Sequence, residues 1–231
     1  MFTLVLLRHG QTVWNKEGRF TGWTDVELTE QGIAEAHHTG LNFKQRGYVF
    51  DEAHTNVLKR CVDTTNIVLA ELGQAHVPVN QYWRLNERNY GALQGLSHAE
   101  MELKYSPLQV LSWRRSVYDK PPLLEISDPR YPGNDPKYKE VSKDDLPRGE
   151  SLYETLGRVE PYIEDVLFPA VKSGKRILVS ASHNSLRAIV KHIENMTETE
   201  IGNYVIPTGG HIVYYLDDSL NMIDVVDTFR L

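Results

Sequence analysis

Two stretches decide the fold: Phe2-Thr-Leu-Val-Leu-Leu-Arg8-His9-Gly10, and Ile177-Leu-Val-Ser180 followed by Ala181-Ser182-His183-Asn184. Each begins as a short, almost continuous apolar run. A strand with one wet face alternates apolar and polar residues. A strand apolar at every position is covered on both faces, as in a parallel sheet flanked by helices. Each run then ends in a polar, chemically competent cluster. Ligands of open α/β sheets gather beyond the carboxyl ends of the strands, so Arg8-His9-Gly10 and Ser182-His183-Asn184 are expected at one common edge.

The intervening sequence supplies the helices. Thr29 reads as an N-cap, Ile33, His37, Leu41 and Lys44 share one helical face, and Gly47 reads as the stop. A strand at 49–54 precedes a helix over 57–72, with an apolar face of Leu58, Cys61, Val62, Thr65, Val68, Leu69 and Leu72. Val77 and Val79 suggest a further short strand. Residues 96–118 carry helical spacing broken at Pro107. The segment 119–149, rich in Pro, Asp, Lys and Tyr, reads as a long surface excursion. Ser151-Leu-Tyr-Glu154 is a capping box, opening a helix that continues through Leu156, Val159, Ile163 and Val166 despite Pro161. A helix at 185–195, another opened by Thr197, and a hairpin of strands at 211–216 and 222–227 across Asp217-Asp218-Ser219 complete the chain. The expectation is α/β: a mostly parallel central sheet flanked by helices, one domain over 1–231, with an irregular inserted subregion at about 96–149.

Composition narrows the function. The 231 residues are 41% hydrophobic and 24% charged, with 25 Lys+Arg against 31 Asp+Glu and a net charge of −6. These values exclude disorder and coiled coil and argue against broad nucleic-acid binding. Cys61 is the single cysteine, so no internal disulfide can form, and a reducing compartment fits. No apolar run approaches the ~18 residues that span a bilayer. The opening segment lacks the basic flank of a signal peptide. A soluble cytoplasmic protein without membrane or nucleic-acid partners is expected. His37-His38 lacks metal-ligand spacing and no P-loop motif occurs, so no metal is expected.

A histidine at a strand end can act as a nucleophile, and an arginine beside it can neutralise an anionic oxygen. Gly10 would permit close backbone approach to an anion. Read singly, these residues have ordinary explanations. A lone histidine among nine is more often a satisfied loop residue, Arg114-Arg115 equally suits a helix end, and Glu87 equally suits a salt bridge to Arg84 or Arg88. Trp14 and Trp23 read as packing.

The company these residues keep changes the reading. Arg8-His-Gly-Gln-Thr-Val-Trp-Asn15, Phe20-Thr-Gly-Trp-Thr-Asp25, Val57-Leu-Lys-Arg60, Trp83-Arg-Leu-Asn-Glu-Arg-Asn-Tyr-Gly-Ala-Leu-Gln-Gly95, Trp113-Arg-Arg115, Tyr131-Pro-Gly133, Glu150-Ser-Leu152, Asn184-Ser-Leu-Arg187 and Ile206-Pro-Thr-Gly209 follow one another in order. This series resembles the cofactor-dependent phosphoglycerate mutases of the histidine phosphatase superfamily. The resemblance implies that His9 is the nucleophile, forming a phosphohistidine, and that Glu87 is the general acid and base. It places Arg8, Arg60 and Asn15 around the transferring phosphate. Arg88, Tyr90, Arg114 and Arg115 would hold the substrate carboxylate and second phosphate, with further contacts from Thr21 and Gly22. His98, His183 and Asn184 complete the candidate substrate-binding set. The implied substrates are 3- and 2-phosphoglycerate, the primer is 2,3-bisphosphoglycerate, and the assembly is a homodimer or homotetramer. A phosphatase of the same superfamily, or an impaired relative that only binds ligand, are the rival readings.

The departures from the family are local. Its H-G-N-S run is here Ser182-His183-Asn184-Ser185, so its second histidine falls on Ser182 and its glycine on His183. His98 replaces a usual lysine, Asn89 a common histidine and Gln11 a frequent glutamate. A serine brings one hydrogen bond and no charge, and losing such a donor commonly costs ~3 kcal/mol in the transition state. Slow phosphoryl transfer, with Ser182 as the weak point, is the resulting expectation. Adjacent strand-end residues point differently, which argues against His183 as a simple substitute.

Overall fold

The computed structural model describes residues 1–229. Strand β1 (Phe2–Arg8) leads through the short helix α1 (Val13–Glu17) to α2 (Glu30–Gln45), and then β2 (Glu52–Thr55), α3 (Lys59–Glu71) and β3 (Val79–Gln81) follow. Helices α4 (His98–Lys104) and α5 (Pro107–Arg115) come next, and α6 (Leu152–Tyr162) and α7 (Phe168–Lys172) precede β4 (Ile177–Ala181). The chain closes with α8 (His183–Glu194), α9 (Glu198–Asn203), β5 (His211–Leu216) and β6 (Met222–Asp227). The six strands lie in the order β3-β2-β4-β1-β5-β6. β5 pairs antiparallel with β1 and β6, and the other pairings are parallel.

The continuous apolar runs sort onto two faces as strand geometry requires. Leu4 and Leu6 of β1 and Val179 of β4 join a core with Leu156, Val159, Ile189 and Ile193 of α6 and α8. Val5, Leu7 and Leu178 join the opposite core with Ala36, Phe43, Val68 and Leu69 of α2 and α3. Each fully buried leucine contributes about 1.5–3 kcal/mol. That sandwich fixes β1 and β4 side by side, from Leu4 opposite Ile177 to Arg8 opposite Ala181.

Three expectations need correction. On α2 the shared face of Ile33, His37, Leu41 and Lys44 is not the packed one: Ile33 is 40% and Leu41 46% exposed, while Gly32, Ala36, Thr39, Gly40 and Phe43 are buried. Small residues define the packed stripe because α2 lies very close to its neighbours. A Cβ added at Gly40 would stand 2.6 Å from the Glu71 Cβ of α3. The segment 119–149 holds only 3₁₀ turns, yet it is more than a surface excursion, since Leu124, Tyr131, Tyr138 and Leu146 are buried. Tyr138 packs on Trp23 with ring centres 5.1 Å apart, and Asn86 Nδ2 donates to its hydroxyl at 2.9 Å. Lastly, α8 begins at His183, two residues before the expected start, which changes where residues 182 and 183 point.

Other signals hold their places. Thr29 caps α2, the Ser151–Glu154 capping box opens α6, and Pro107 stands in the first turn of α5. Pro161 does not end α6, which widens into a π-helical turn over Ile163–Leu167.

Candidate active site

The carboxyl ends of β1 and β4 open into a cavity of about 150 Å³ lined by Arg8, His9, Asn15, Arg19, Phe20, Thr21, Gly22, Arg60, Glu87, Tyr90, His98, Arg114, His183 and Asn184. The sheet holds its floor rigidly: the His9 N–H donates to the Ala181 carbonyl at 3.1 Å, and the Gly209 N–H donates to the His9 carbonyl at 3.2 Å. His9 is 2% exposed. Its Nδ1 lies 2.7 Å from the Gly10 carbonyl, an acceptor only, so Nδ1 carries the proton and Nε2 the lone pair. Burial lowers the His9 pKa well below the usual histidine value, and the nearby Arg60 and Arg8 lower it further. The imidazole is therefore neutral and nucleophilic near pH 7.

Gly10 matters for a reason other than anion approach. A Cβ there would meet the Gly32 carbonyl oxygen at 2.2 Å, and a Cβ at Gly32 would meet the Gln11 carbonyl at 2.0 Å. The paired glycines let the first turn of α2 press against the loop carrying His9. The Gly10 N–H donates to Thr64 Oγ1 at 3.2 Å, which ties the same loop to α3.

Two arginines beside His9 are pre-aimed by backbone carbonyls. Arg8 Nη1 donates to the Ile206 carbonyl at 2.6 Å. Arg60 donates from Nη1 to Thr24 at 3.0 Å and from Nη2 to Gly22 at 2.8 Å. Gly22 thus serves by its carbonyl, in a left-handed conformation with φ 56 that favours glycine. Asn15 holds its amide oriented, because Oδ1 accepts the Thr12 N–H at 3.1 Å in the capping box of α1. Glu87 Oε1 accepts the N–H groups of Arg88 at 2.8 Å and Asn184 at 3.1 Å. Its backbone is clamped as well: the Glu87 carbonyl accepts Trp23 Nε1 at 2.5 Å and Arg158 Nη2 at 3.1 Å. Arg158 in turn forms a buried ion pair with Glu150, Nε to Oε1 at 2.5 Å, and Glu150 Oε2 accepts the Asn89 N–H at 2.7 Å.

Twelve of the residues singled out from sequence line this cavity together: His9, Glu87, Arg8, Asn15, Thr21, Gly22, Arg60, Tyr90, His98, Arg114, His183 and Asn184. Two stand elsewhere. Arg88 is buried and spends its guanidinium on the carbonyls of Glu150 at 2.8 Å and Asp119 at 2.7 Å. Arg115 is exposed at the end of α5, near enough to act electrostatically on His183. Ser182 is fully buried and turned into the core, where Oγ accepts Asn56 Nδ2 at 3.1 Å and lies 3.5 Å from Cys61 Sγ. His183 lines the cavity instead. His98 stacks edge-on against Phe20, ring centres 4.5 Å apart, and burial with help from Arg114 lowers its pKa to about 4. It is neutral at pH 7, where a lysine would be charged.

Arg19 and Phe20 line the cavity without having been singled out as site residues, and Arg158, Glu150 and Thr64 position it. Glu150 lay within a quoted motif, but only the fold brings it to Arg158. Among the described residues no group of three His, Cys, Asp or Glu side chains could hold a metal ion. No helix there is long and apolar enough to cross a membrane.

A family model for the histidine phosphatase superfamily (branch 1) matches residues 4–226. The chain belongs to the histidine phosphatase superfamily. Several solved structures share its fold over nearly full length. The phosphoglycerate mutase from Bacillus anthracis str. Sterne is 22% identical, with a TM-score of 0.66, covering 97% of this chain and 92% of that one. A mycobacterial glucosyl-3-phosphoglycerate phosphatase in complex with VO3 is 20% identical, with a TM-score of 0.72 and coverage of 98% and 97%. A putative alpha-ribazole-5'-P phosphatase from Escherichia coli str. K-12 is 19% identical, with a TM-score of 0.72 and coverage of 99% and 98%. At these identities the likeness shows the fold.

Proposed function

We propose that this histidine phosphatase relative is a phosphoglycerate mutase that interconverts 3- and 2-phosphoglycerate through phosphorylated His9. The observation that carries the reading is the joint placement of a neutral imidazole with its Nδ1 held by Gly10, two carbonyl-aimed arginines, and Glu87 in one small cavity. His9 Nε2 attacks phosphorus as the ester oxygen departs, and Arg8 and Arg60 face the charge on the phosphoryl oxygens. Because Glu87 Oε1 already accepts two backbone N–H groups, Oε2 is the oxygen that delivers and recovers the substrate proton. The small volume suits a three-carbon phosphoester. Arg114, Arg19 and Tyr90 are the lining groups positioned for its second anionic end.

The priming compound implied by the resemblance, 2,3-bisphosphoglycerate, would supply the phosphoryl group that loads His9. The donor set fits it: Arg8 and Arg60 at the nucleophile, Arg19 and Arg114 farther along the lining. A second reading, release of phosphate to water, is favoured by one observation. His98, neutral and packed on Phe20, adds no charge where the mutases usually carry a lysine, which weakens retention of a bisphosphorylated intermediate. Incubation with 3-phosphoglycerate and a trace of 2,3-bisphosphoglycerate tests both. The mutase reading expects 2-phosphoglycerate in large excess over inorganic phosphate. Phosphate in excess supports the phosphatase and overturns the mutase.

A further inference from the structure

We propose that Gln94 is a positioning residue for phosphoryl transfer: it holds the turn at 21–24 through the Trp23 N–H, and that turn aims the Arg60 guanidinium into the cavity. The inference rests on phosphoryl transfer at His9 and is indifferent to whether mutase or phosphatase chemistry follows.

The turn is closed by the Thr24 N–H, which donates to the Thr21 carbonyl at 3.2 Å. The carbonyls on either side of Trp23, those of Gly22 and Thr24, receive the two ends of the Arg60 fork, Nη2 at 2.8 Å and Nη1 at 3.0 Å. Arg60 is 1% exposed, and its Nε has no hydrogen-bond partner among the described residues. A planar guanidinium held at two points has little freedom left, so those two carbonyls set what Arg60 presents to a phosphoryl oxygen. The Trp23 indole ties the turn to the opposite wall, with Nε1 donating to the Glu87 carbonyl at 2.5 Å.

Gln94 grips this turn at its middle. Its Oε1 accepts the Trp23 N–H at 2.6 Å, and a Cβ added at Gly22 would collide with the same oxygen. The Gln94 backbone is itself fixed, its N–H donating to the Gly91 carbonyl at 3.2 Å and its carbonyl accepting Arg130 Nη1 at 2.9 Å. The side chain is 3% exposed and does not line the cavity, and its Nε2 is buried without a partner among the described residues. Packing alone does not account for a glutamine here, because an apolar side chain of the same length would strand no amide. The oxygen is the functional part. Without it the Trp23 N–H is buried and unpaired, and the turn regains a partner only by moving, which carries both Arg60 carbonyls with it. A misaimed guanidinium keeps its charge, so attraction to a bound phosphate survives. What is lost is alignment with the equatorial oxygens of the transition state.

The test compares Gln94→Met, which keeps the length and removes the acceptor, with Gln94→Glu, which keeps the acceptor on a carboxyl that burial holds neutral. Both are made in the wild-type and Arg60→Ala backgrounds, with thermal melts confirming folding. Turnover is read with p-nitrophenyl phosphate. Binding is read with orthovanadate, a mimic of the five-coordinate transition state, and with inorganic phosphate. The Trp23 indole N–H, assigned by its loss in Trp23→Phe, is followed by NMR as a reporter of the turn. Gln94→Met is expected to lower kcat roughly 10–10²-fold with KM within about threefold, to weaken vanadate about tenfold or more but phosphate less than about threefold, and to shift the indole signal. Gln94→Glu is expected to regain most of each loss. In the Arg60→Ala background Gln94→Met should cost less than about threefold more, because the group it acts through is gone. Equal losses in both backgrounds, as a merely structural role gives, would overturn the proposal, and so would kcat and vanadate affinity in Gln94→Met within about threefold of wild type. A failure of phosphoryl transfer at His9 shows in wild type itself, as no vanadate binding and no phosphohistidine, whereas a failure of this proposal shows only between the variants.

Discussion

Replacing Arg158 by methionine should unlatch Glu87 without touching the cavity itself. Arg158 donates to both Glu150 carboxylate oxygens, at 2.5 and 3.0 Å, and to the carbonyls of Arg84 at 2.6 Å, Asn86 at 3.2 Å and Glu87 at 3.1 Å. Its guanidinium also lies 5.2 Å from the centre of the Trp23 ring. The two side chains of the ion pair are 6% and 4% exposed, so solvent cannot compensate for a missing partner. Methionine fills much of the volume but leaves a buried carboxylate unpaired, a change that costs about 3–5 kcal/mol. At roughly 2–4 °C per kcal/mol for a chain of this size, the melting temperature should fall by roughly 6–20 °C. Urea titration and calorimetry measure it. Adding Glu150→Gln to Arg158→Met should recover part of the loss, because no buried charge is then stranded. Turnover of the folded Arg158→Met protein should fall as well, since the Glu87 carbonyl then keeps only one of its two donors, Trp23 Nε1. A loss below about 1 kcal/mol with unchanged turnover would refute the clamp.

Other outcomes follow from the same structure. Gly10→Ala puts a Cβ 2.2 Å from the Gly32 carbonyl, a backbone clash that α2 can relieve only by moving; a loss of about 1–3 kcal/mol by urea titration is expected, and an unchanged midpoint would contradict it. His9, His54, His98, His183 and His211 all have pKa values lowered first by burial, His98 and His211 to about 4. Between about pH 6.5 and 4 the unfolded chain therefore binds more protons than the folded one, so stability should fall as pH falls through that window. Unfolding free energy at pH 5 equal to that at pH 7 would contradict this. Glu87→Gln should leave folding intact, because the backbone N–H groups of Arg88 and Asn184 can still be accepted, yet slow turnover by about 10²–10⁴. A near-normal rate would remove Glu87 from proton transfer.

The sheet was legible because burial on both faces leaves no alternative to a continuous apolar run, as in Leu4–Leu7 and Ile177–Val179. The packed face of α2 was not legible. Gly32, Ala36 and Gly40 pack by being small, and periodicity of large apolar residues reads their absence as a wet face. Most of the site was legible as an ordered set of motifs, but the roles of two arginines were not. Nothing local separates Arg88, consumed by carbonyls inside the protein, from Arg60, aimed beside the nucleophile. Residues 182 and 183 turned on where α8 begins. With the helix starting at His183, Ser182 becomes a cap residue facing the core and the histidine faces the cavity.

Everything proposed for this cavity requires phosphoryl groups to pass through His9. Brief incubation with 2,3-bisphosphoglycerate, rapid quenching at alkaline pH, and intact-mass analysis with peptide mapping test it most directly. One added phosphoryl group is expected, acid-labile and located on His9, formed by wild type and not by folded His9→Ala. A phosphoryl group on another residue, or the same acid-labile adduct on the His9→Ala protein, would contradict it.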